Sequence, residues 1–314
     1  MTDRFDFYYK RMICLILFTL AFLVLSCSQI SHKESGKLKV VTTIGMLADA
    51  VKVITADSVE VTGLMGPGVD PHLYKATSGD VSLLDKADLI VYNGLNLEAK
   101  MTVIFKKMSA SKRTLAVAER IDSSLLRFPE YFKGHPDPHV WFDVSMWKTV
   151  VAATGAVLME MDSANQKLYQ ENLSGYLHVL DELHKWVKAQ MATIPEEKRI
   201  LVTAHDAFGY LGRAYDIEVR GLQGISTVTE AGLYDLTHMI DMLVERKIKA
   251  VFVESSVPRK AIEAVVEGCR QRGLDIEIGG ELFSDAMGEG GTPEGTYIGM
   301  VRHNVNTIVK ALSK

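Results

Sequence analysis

Cysteine is scarce: the chain holds three in 314 residues. Their places exclude both a disulfide framework and a thiolate metal site. Cys14 falls inside a removable leader, Cys27 stands at its end, and Cys269 is alone in a helical pattern. Proline is sparse too, with eight in all and none from Ser163 to Ile194, so nothing there breaks a helix. Long apolar runs are missing. The longest, Ile13–Leu25, falls short of the about 20 residues that a bilayer-spanning helix needs. Lys and Arg total 35 against 39 Asp and Glu, a formal net charge of −4, and no basic cluster rises above ordinary helix faces, which excludes a nucleic-acid partner. There is no HExxH helix, and Gly288-Glu289-Gly290-Gly291 lacks the Gly-Lys-Ser/Thr ending of a phosphate-binding loop.

The amino-terminal run has a purpose of its own. Arg4, Lys10 and Arg11 precede Ile13–Leu25, the arrangement of an export signal over residues 1–26. Its end, Val24-Leu25-Ser26-Cys27, looks like a bacterial lipoprotein processing box, with Val where Leu is usual. Acylated at Cys27, the mature chain is expected in the periplasm or at the outer face of the cytoplasmic membrane, because several acyl chains on one residue anchor stably. Residues 27–37 are polar and unpatterned and read as a flexible tether.

Asp-Pro-His followed by an apolar and an aromatic residue occurs twice, as Asp70-Pro71-His72-Leu73-Tyr74 and Asp137-Pro138-His139-Val140-Trp141. Proline fixes its own φ and drives the preceding Asp to extended geometry, so each His begins a stiff turn. An immobilised neutral imidazole is a common ligand for divalent transition metals. Two further segments end at such groups. Ile200–Thr203 leads into Ala204-His205-Asp206-Ala207-Phe208, and Gly279–Phe283 leads into Ser284-Asp285. All four groups are expected at strand-to-loop exits, where doubly wound α/β proteins bind ligands.

Along the mature chain, β-branched runs alternate with helical patterns. Strands are expected at Leu38–Thr43, Val59–Leu64, Leu89–Tyr92 and Thr114–Val117, and again at Arg199–Thr203, Glu218–Leu222, Ala250–Glu254 and Asp275–Ile278. Strand-then-helix order implies parallel sheets, one in each of two α/β lobes, residues 38–161 and 196–314. Between them, residues 162–195 read as one helix of about thirty residues and roughly 45 Å, capped by Ser163, with Gly175 as a soft point. Such a helix links the lobes rigidly.

These markers resemble one family, the metal-binding solute receptors of bacterial ABC importers that capture zinc or manganese. The resemblance covers nearly all of the chain beyond residue 37. It implies that His72, His139, His205 and Asp285 are the four metal ligands, two from each lobe, with the metal in the interlobe cleft. It also implies only small lobe movement, and a partner permease whose ATPase is a separate chain. A single-chain receptor is expected. Ligand chemistry favours Zn²⁺, with Mn²⁺ next. Manganese receptors of the family often carry Glu where His205 stands, and many zinc receptors carry a His-rich loop before the second ligand. This chain has neither.

Glu230, Glu254 and Asp206 are candidates to accept the ligands' outer N–H groups. His178 and His184 fall on different faces of the long helix, His238 and His303 sit in amphipathic helices, and His135 lies in the loop before His139. None of these is expected to ligate. The rival function is an exported zinc hydrolase, in which Asp285 is a base and the fourth position holds water.

Overall fold

Leu38 to Thr42 alternates too little to be an edge strand, and it lies at the centre of the first sheet of the computed structural model, which describes residues 36–132 and 134–314. The export signal, Cys27 and the tether as far as residue 35 lie outside the described residues. Among the described residues, no helix is long and apolar enough to cross a membrane.

The first half runs β1 (Leu38–Thr42), α1 (Gly45–Thr55), β2 (Val59–Gly63), α2 (Ser78–Lys86), β3 (Leu89–Tyr92), α3 (Thr102–Met108) and β4 (Arg113–Ala116). Two long helices follow, α4 (Val144–Met161) and α5 (Gln166–Met191). The second half contains β5 (Ile200–His205), α6 (Gly209–Tyr215), β6 (Glu218–Gln223), α7 (Leu233–Arg246), β7 (Ala250–Glu254), α8 (Lys260–Gln271), β8 (Glu277–Leu282) and α9 (Tyr297–Leu312).

The first four strands make one parallel sheet in the order β2-β1-β3-β4. In the second half β5 pairs with β6 and β7 with β8, again parallel, and β5 lies beside β7. Parallel strands covered on both faces lose their polar alternation, and all six residues of β5 are buried. Within each sheet the carboxyl ends share one edge, and that edge faces the site.

The expected strands and helices are present with ends moved by a few residues, and two details differ. Strand β8 begins and ends later than expected, running through Gly279-Gly280 beyond the expected end at Ile278. A Cβ at Gly279 would meet Ala311 Cβ at 2.7 Å and Phe252 Cε1 at 2.9 Å, so glycine here serves close packing within a strand. The long helix starts with a short 3₁₀ turn at Ser163–Asn165, and Ser163 does not cap it. Instead Asp162 Oδ2 accepts from Asn165 Nδ2 at 2.9 Å and from Tyr169 Oη at 2.6 Å.

Helix α5 then runs unbroken through Gly175 for 26 residues, about 39 Å at 1.5 Å per residue. Tyr169, Leu173, Tyr176, Leu180, Leu183, Val187 and Met191 form its single buried stripe. That stripe packs on α1 and α4 of the first half and on α6 and α9 of the second. One apolar core therefore continues from the first sheet through Leu180 and Tyr176 to Met300, Val305 and Ile308 of α9. A smaller core lies between β5, β7 and helices α7 and α8. Residues Leu38–Lys314 make up one compact unit.

Candidate metal centre

The two Asp-Pro-His turns share one device. Asp70 Oδ1 accepts the His72 backbone N–H at 2.8 Å, and Asp137 Oδ1 accepts that of His139 at 3.0 Å. An aspartate that bonds the backbone two residues on closes a tight turn. His72 follows β2. His139 differs from expectation, since it lies at no strand exit but in the long connection from β4 to α4. Its turn is held instead by the Asn93 side chain, which donates to Pro138 O at 3.0 Å, and by Tyr210 Oη, which donates to Asp137 O at 2.9 Å. Asn93 is itself beside the buried Glu98, whose carboxylate accepts from the N–H groups of Asn93 and Gly94 and from Thr43 Oγ1.

His205 is the last residue of β5, and Glu254 the last of β7. Because these strands lie side by side, Glu254 meets His205 twice: Oε1 accepts its backbone N–H at 2.8 Å and Oε2 contacts its Nδ1 at 2.5 Å. Asp285 leaves β8 through a clamped segment. Asn304 of α9 both donates to Phe283 O and accepts from Phe283 N–H, at 2.7 and 2.9 Å. Trp141 Nε1 donates to Ser284 O at 3.0 Å, and Tyr297 Oη donates to Trp141 O at 2.7 Å.

These elements bring His72, His139, His205 and Asp285 together, with one potential ligand atom from each lying within 4.8 Å of the others. Nε2 of His72 lies 3.3 Å from Nε2 of His139. Asp285 is 3.3 Å from His139 Nε2, 3.3 Å from His205 Nε2 and 3.8 Å from His72 Nε2. All four are buried, none more than 2% exposed. Yet His205 Nε2 and both carboxylate oxygens of Asp285 have no hydrogen-bond partner. A buried carboxylate without partners is costly unless a cation completes it. The donor set, three imidazole nitrogens and one carboxylate, suits a divalent transition metal.

Electrostatics follow from the same distances. Burial pushes the His72 imidazole down to about 3 and keeps it neutral. Burial acts the same way on His139 and His205, but it is outweighed: hydrogen bonding to Asp137 raises His139, and the charges of Glu254 and Asp285 hold His205 well above its ordinary range. Burial opposes ionisation of Asp285, yet the His205 and His139 side chains hold its carboxyl well below the usual value. The centre is a carboxylate ringed by imidazoles, which attracts positive charge, whether proton or metal.

Of the three candidate outer acceptors, Glu254 alone meets a ligand. Asp206 accepts from Tyr131 Oη, and Glu230 is exposed. Sequence reasoning missed Asp137, whose Oδ1 lies 2.7 Å from His139 Nδ1 while Oδ2 binds Arg127 Nη1 at 2.5 Å. The signal was present, since Asp137 is the first residue of the repeated triplet. The other histidines stay apart: His178, His238 and His135 are exposed, His184 bonds Tyr215, and His303 contacts Glu281 O.

Comparison with known proteins places this arrangement. A family model described as zinc-uptake complex component A, periplasmic (ZnuA), matches residues 40–311. The zinc-binding protein TroA of Treponema pallidum is 50% identical over 279 residues, covering 89% of this chain and 90% of TroA. The manganese-binding lipoprotein MntA of Bacillus subtilis is 47% identical, covering 93% of this chain and 95% of MntA. The solved structure of periplasmic TroA superposes with a TM-score of 0.87, covering 89% of this chain and all of that one. Parallel-sheet architecture, long helix and sequence agree over the same span, and the chain belongs to the ZnuA family of periplasmic zinc-uptake components.

Proposed function

We propose that this protein captures one dication outside the cytoplasmic membrane and delivers it to the permease of an ABC importer whose ATPase is a separate chain. His72, His139, His205 and Asp285 are the ligands, and the metal is cargo. The observation that carries this reading is the buried, unpartnered Asp285 carboxylate facing three Nε2 atoms. The charges support it. A dication faces the carboxylates of Asp285, Glu254, Asp137 and Asp70, and Arg127 supplies one further positive charge, so the formal sum is −1 and the positive charge of the metal is fully compensated.

Zn²⁺ is the first-choice cargo and Mn²⁺ the second. A four-ligand set rich in nitrogen suits tetrahedral zinc, which also binds more tightly than manganese at most such sites. The relatives divide in the same way, TroA being a zinc-binding and MntA a manganese-binding protein. The protein is a receptor and no enzyme: with Asp285 as fourth ligand, the position a hydrolase leaves for water is filled. Anchoring through Cys27, and a division into lobes 38–161 and 196–314 about the helix in 162–195, belong to this reading. MntA, named a lipoprotein, supports the anchor.

Elemental analysis of the purified mature chain tests the proposal, with Zn²⁺ and Mn²⁺ in competition and with His72→Ala and Asp285→Ala alongside. One ion per chain, lost or weakened in both variants, is the expected result. No stoichiometric metal under any loading condition overturns it.

A further inference from the structure

Among the hydrogen bonds that join the halves of the chain beside the metal residues, two run from a side-chain hydroxyl to a carboxylate and touch no ligand atom. Thr227, in the loop from β6 to α7, is 6% exposed and donates from Oγ1 to Asp70 Oδ2 at 2.5 Å. The other oxygen of Asp70 holds the His72 turn. Tyr131, in the loop before His139, donates from Oη to Asp206 Oδ2. Asp206 directly follows His205, and its backbone N–H is fixed on Gln223 O at 3.1 Å. The pair is reciprocal. In one bond the second half gives the hydroxyl and the first half the carboxylate, and in the other these roles are exchanged. A Cβ at Gly224 would reach the Tyr131 ring at 4.0 Å, so Tyr131 lies along the loop that leads to Thr227.

We propose that Thr227 and Tyr131 are release latches, positioning residues that slow escape of bound metal by tying the halves together at the carboxylates beside His72 and His205. The inference rests on the metal-capture reading. Its physical basis is simple. Parting the halves far enough to free an ion that draws ligands from both must break these two bonds, each made to a charged acceptor and therefore strong. Formation of the metal bonds does not use them, so they act on the rate of release more than on capture.

The test is the rate at which a chromophoric chelator draws Zn²⁺ from the loaded mature protein. Parent, Thr227→Val, Tyr131→Phe and the double variant are compared, with Thr227→Ser as the conservative control. Loss of the buried Thr227 bond corresponds to about tenfold, whereas Tyr131 is exposed and its bond is weakened by water, so Thr227→Val is expected to release zinc about tenfold faster, Tyr131→Phe about threefold and the double variant about thirtyfold. Thr227→Ser is expected to keep the parent's rate. Association rates and metal stoichiometry are expected to stay unchanged; because both bonds are formed without metal, the metal-free melting temperature falls modestly, and release faster than that of an equally destabilised variant substituted away from the boundary separates a latch from a merely structural role. Release at the parent's rate from the loaded double variant overturns the latches alone. Failure of the parent to take up stoichiometric zinc overturns the metal reading and the latches with it.

Discussion

Glu254→Gln isolates the role of one carboxylate that never touches the metal. In the parent, Glu254 presents two acceptor oxygens to His205, at 2.8 Å from the backbone N and 2.5 Å from Nδ1, in a place where both side chains are wholly buried. Glutamine keeps the shape but has one acceptor and one donor. Either the backbone N–H or the ring is then faced by an amide N–H. If the ring adapts, its proton moves from Nδ1 to Nε2, the atom that faces Asp285 and would bind the metal. Replacing such an orienting partner costs about 10- to 100-fold in metal affinity, or about 1.4–2.7 kcal/mol. The assay is a competition titration with a chelator of known affinity near neutral pH, with circular dichroism to verify the fold. Affinity within about threefold of the parent, well below that range, would show that the ring is fixed by packing alone and would refute the argument.

Two further outcomes follow from the same geometry. His139 and His205 are raised in the metal-free protein, so their protonated forms stabilise it at low pH, and that stabilisation is lost as pH rises through the raised values. Metal must displace those protons, so the rise in melting temperature given by Zn²⁺ is expected to grow from about pH 5.5 to about pH 8; a metal-induced shift that is flat or declining over that range would contradict it. Trp141→Phe keeps an aromatic ring in a fully buried position but removes the donor to Ser284 O. An unsatisfied buried carbonyl costs about 1–3 kcal/mol, read as a lower denaturation midpoint, and metal affinity falls with it because Asp285 is the next residue. A variant as stable as the parent would mean that water replaces the indole.

Much of this was legible because strong local patterns and the tertiary structure agree. The β-branched runs became strands within a few residues of their expected ends, and the long segment without proline became α5. The repeated Asp-Pro-His triplet marked two residues of the centre, since turn chemistry is local. What failed was non-local. Strand β8 was expected to end at Ile278, and only the approach of Phe252 and Ala311 to Gly279 explains why Gly279-Gly280 lies inside it. Glu230 and Glu254 were both candidates, and although Glu254 closes an expected strand, nothing in the sequence says that this strand lies beside β5. The link from Trp141 to Ser284 spans 143 residues, and no periodicity announces it. His139 was misplaced at a strand exit because its position is set by Asn93 and Tyr210, which the sequence does not connect to it.

The division of contacts between the halves explains how so buried a centre can open without losing its shape. His72 has Asp70, His139 has Asp137, and His205 has Glu254, each pair on the same side of the molecule. If the halves part, the rings of His139 and His205 keep the carboxylates that orient them, and His72 keeps the aspartate that closes its turn. Asp285 is different. The segment just before it is held on its own side by Asn304 at Phe283 and across the boundary by Trp141 at Ser284. Asp285 is also the only ligand whose charge attracts all three rings. Separation strains the Trp141 bond together with those from Tyr210 to Asp137 and from Thr227 to Asp70, and the Asp285 carboxylate supplies the charge that attracts a dication. The continuous core along α5 opposes wide separation, since Tyr176 and Leu180 pack with residues of both halves. A small displacement is enough, because attraction at these distances in a poorly solvated site weakens steeply once water enters. On the proposed reading, stiff half-sites joined by a few crossing hydrogen bonds reconcile capture with release on a modest movement.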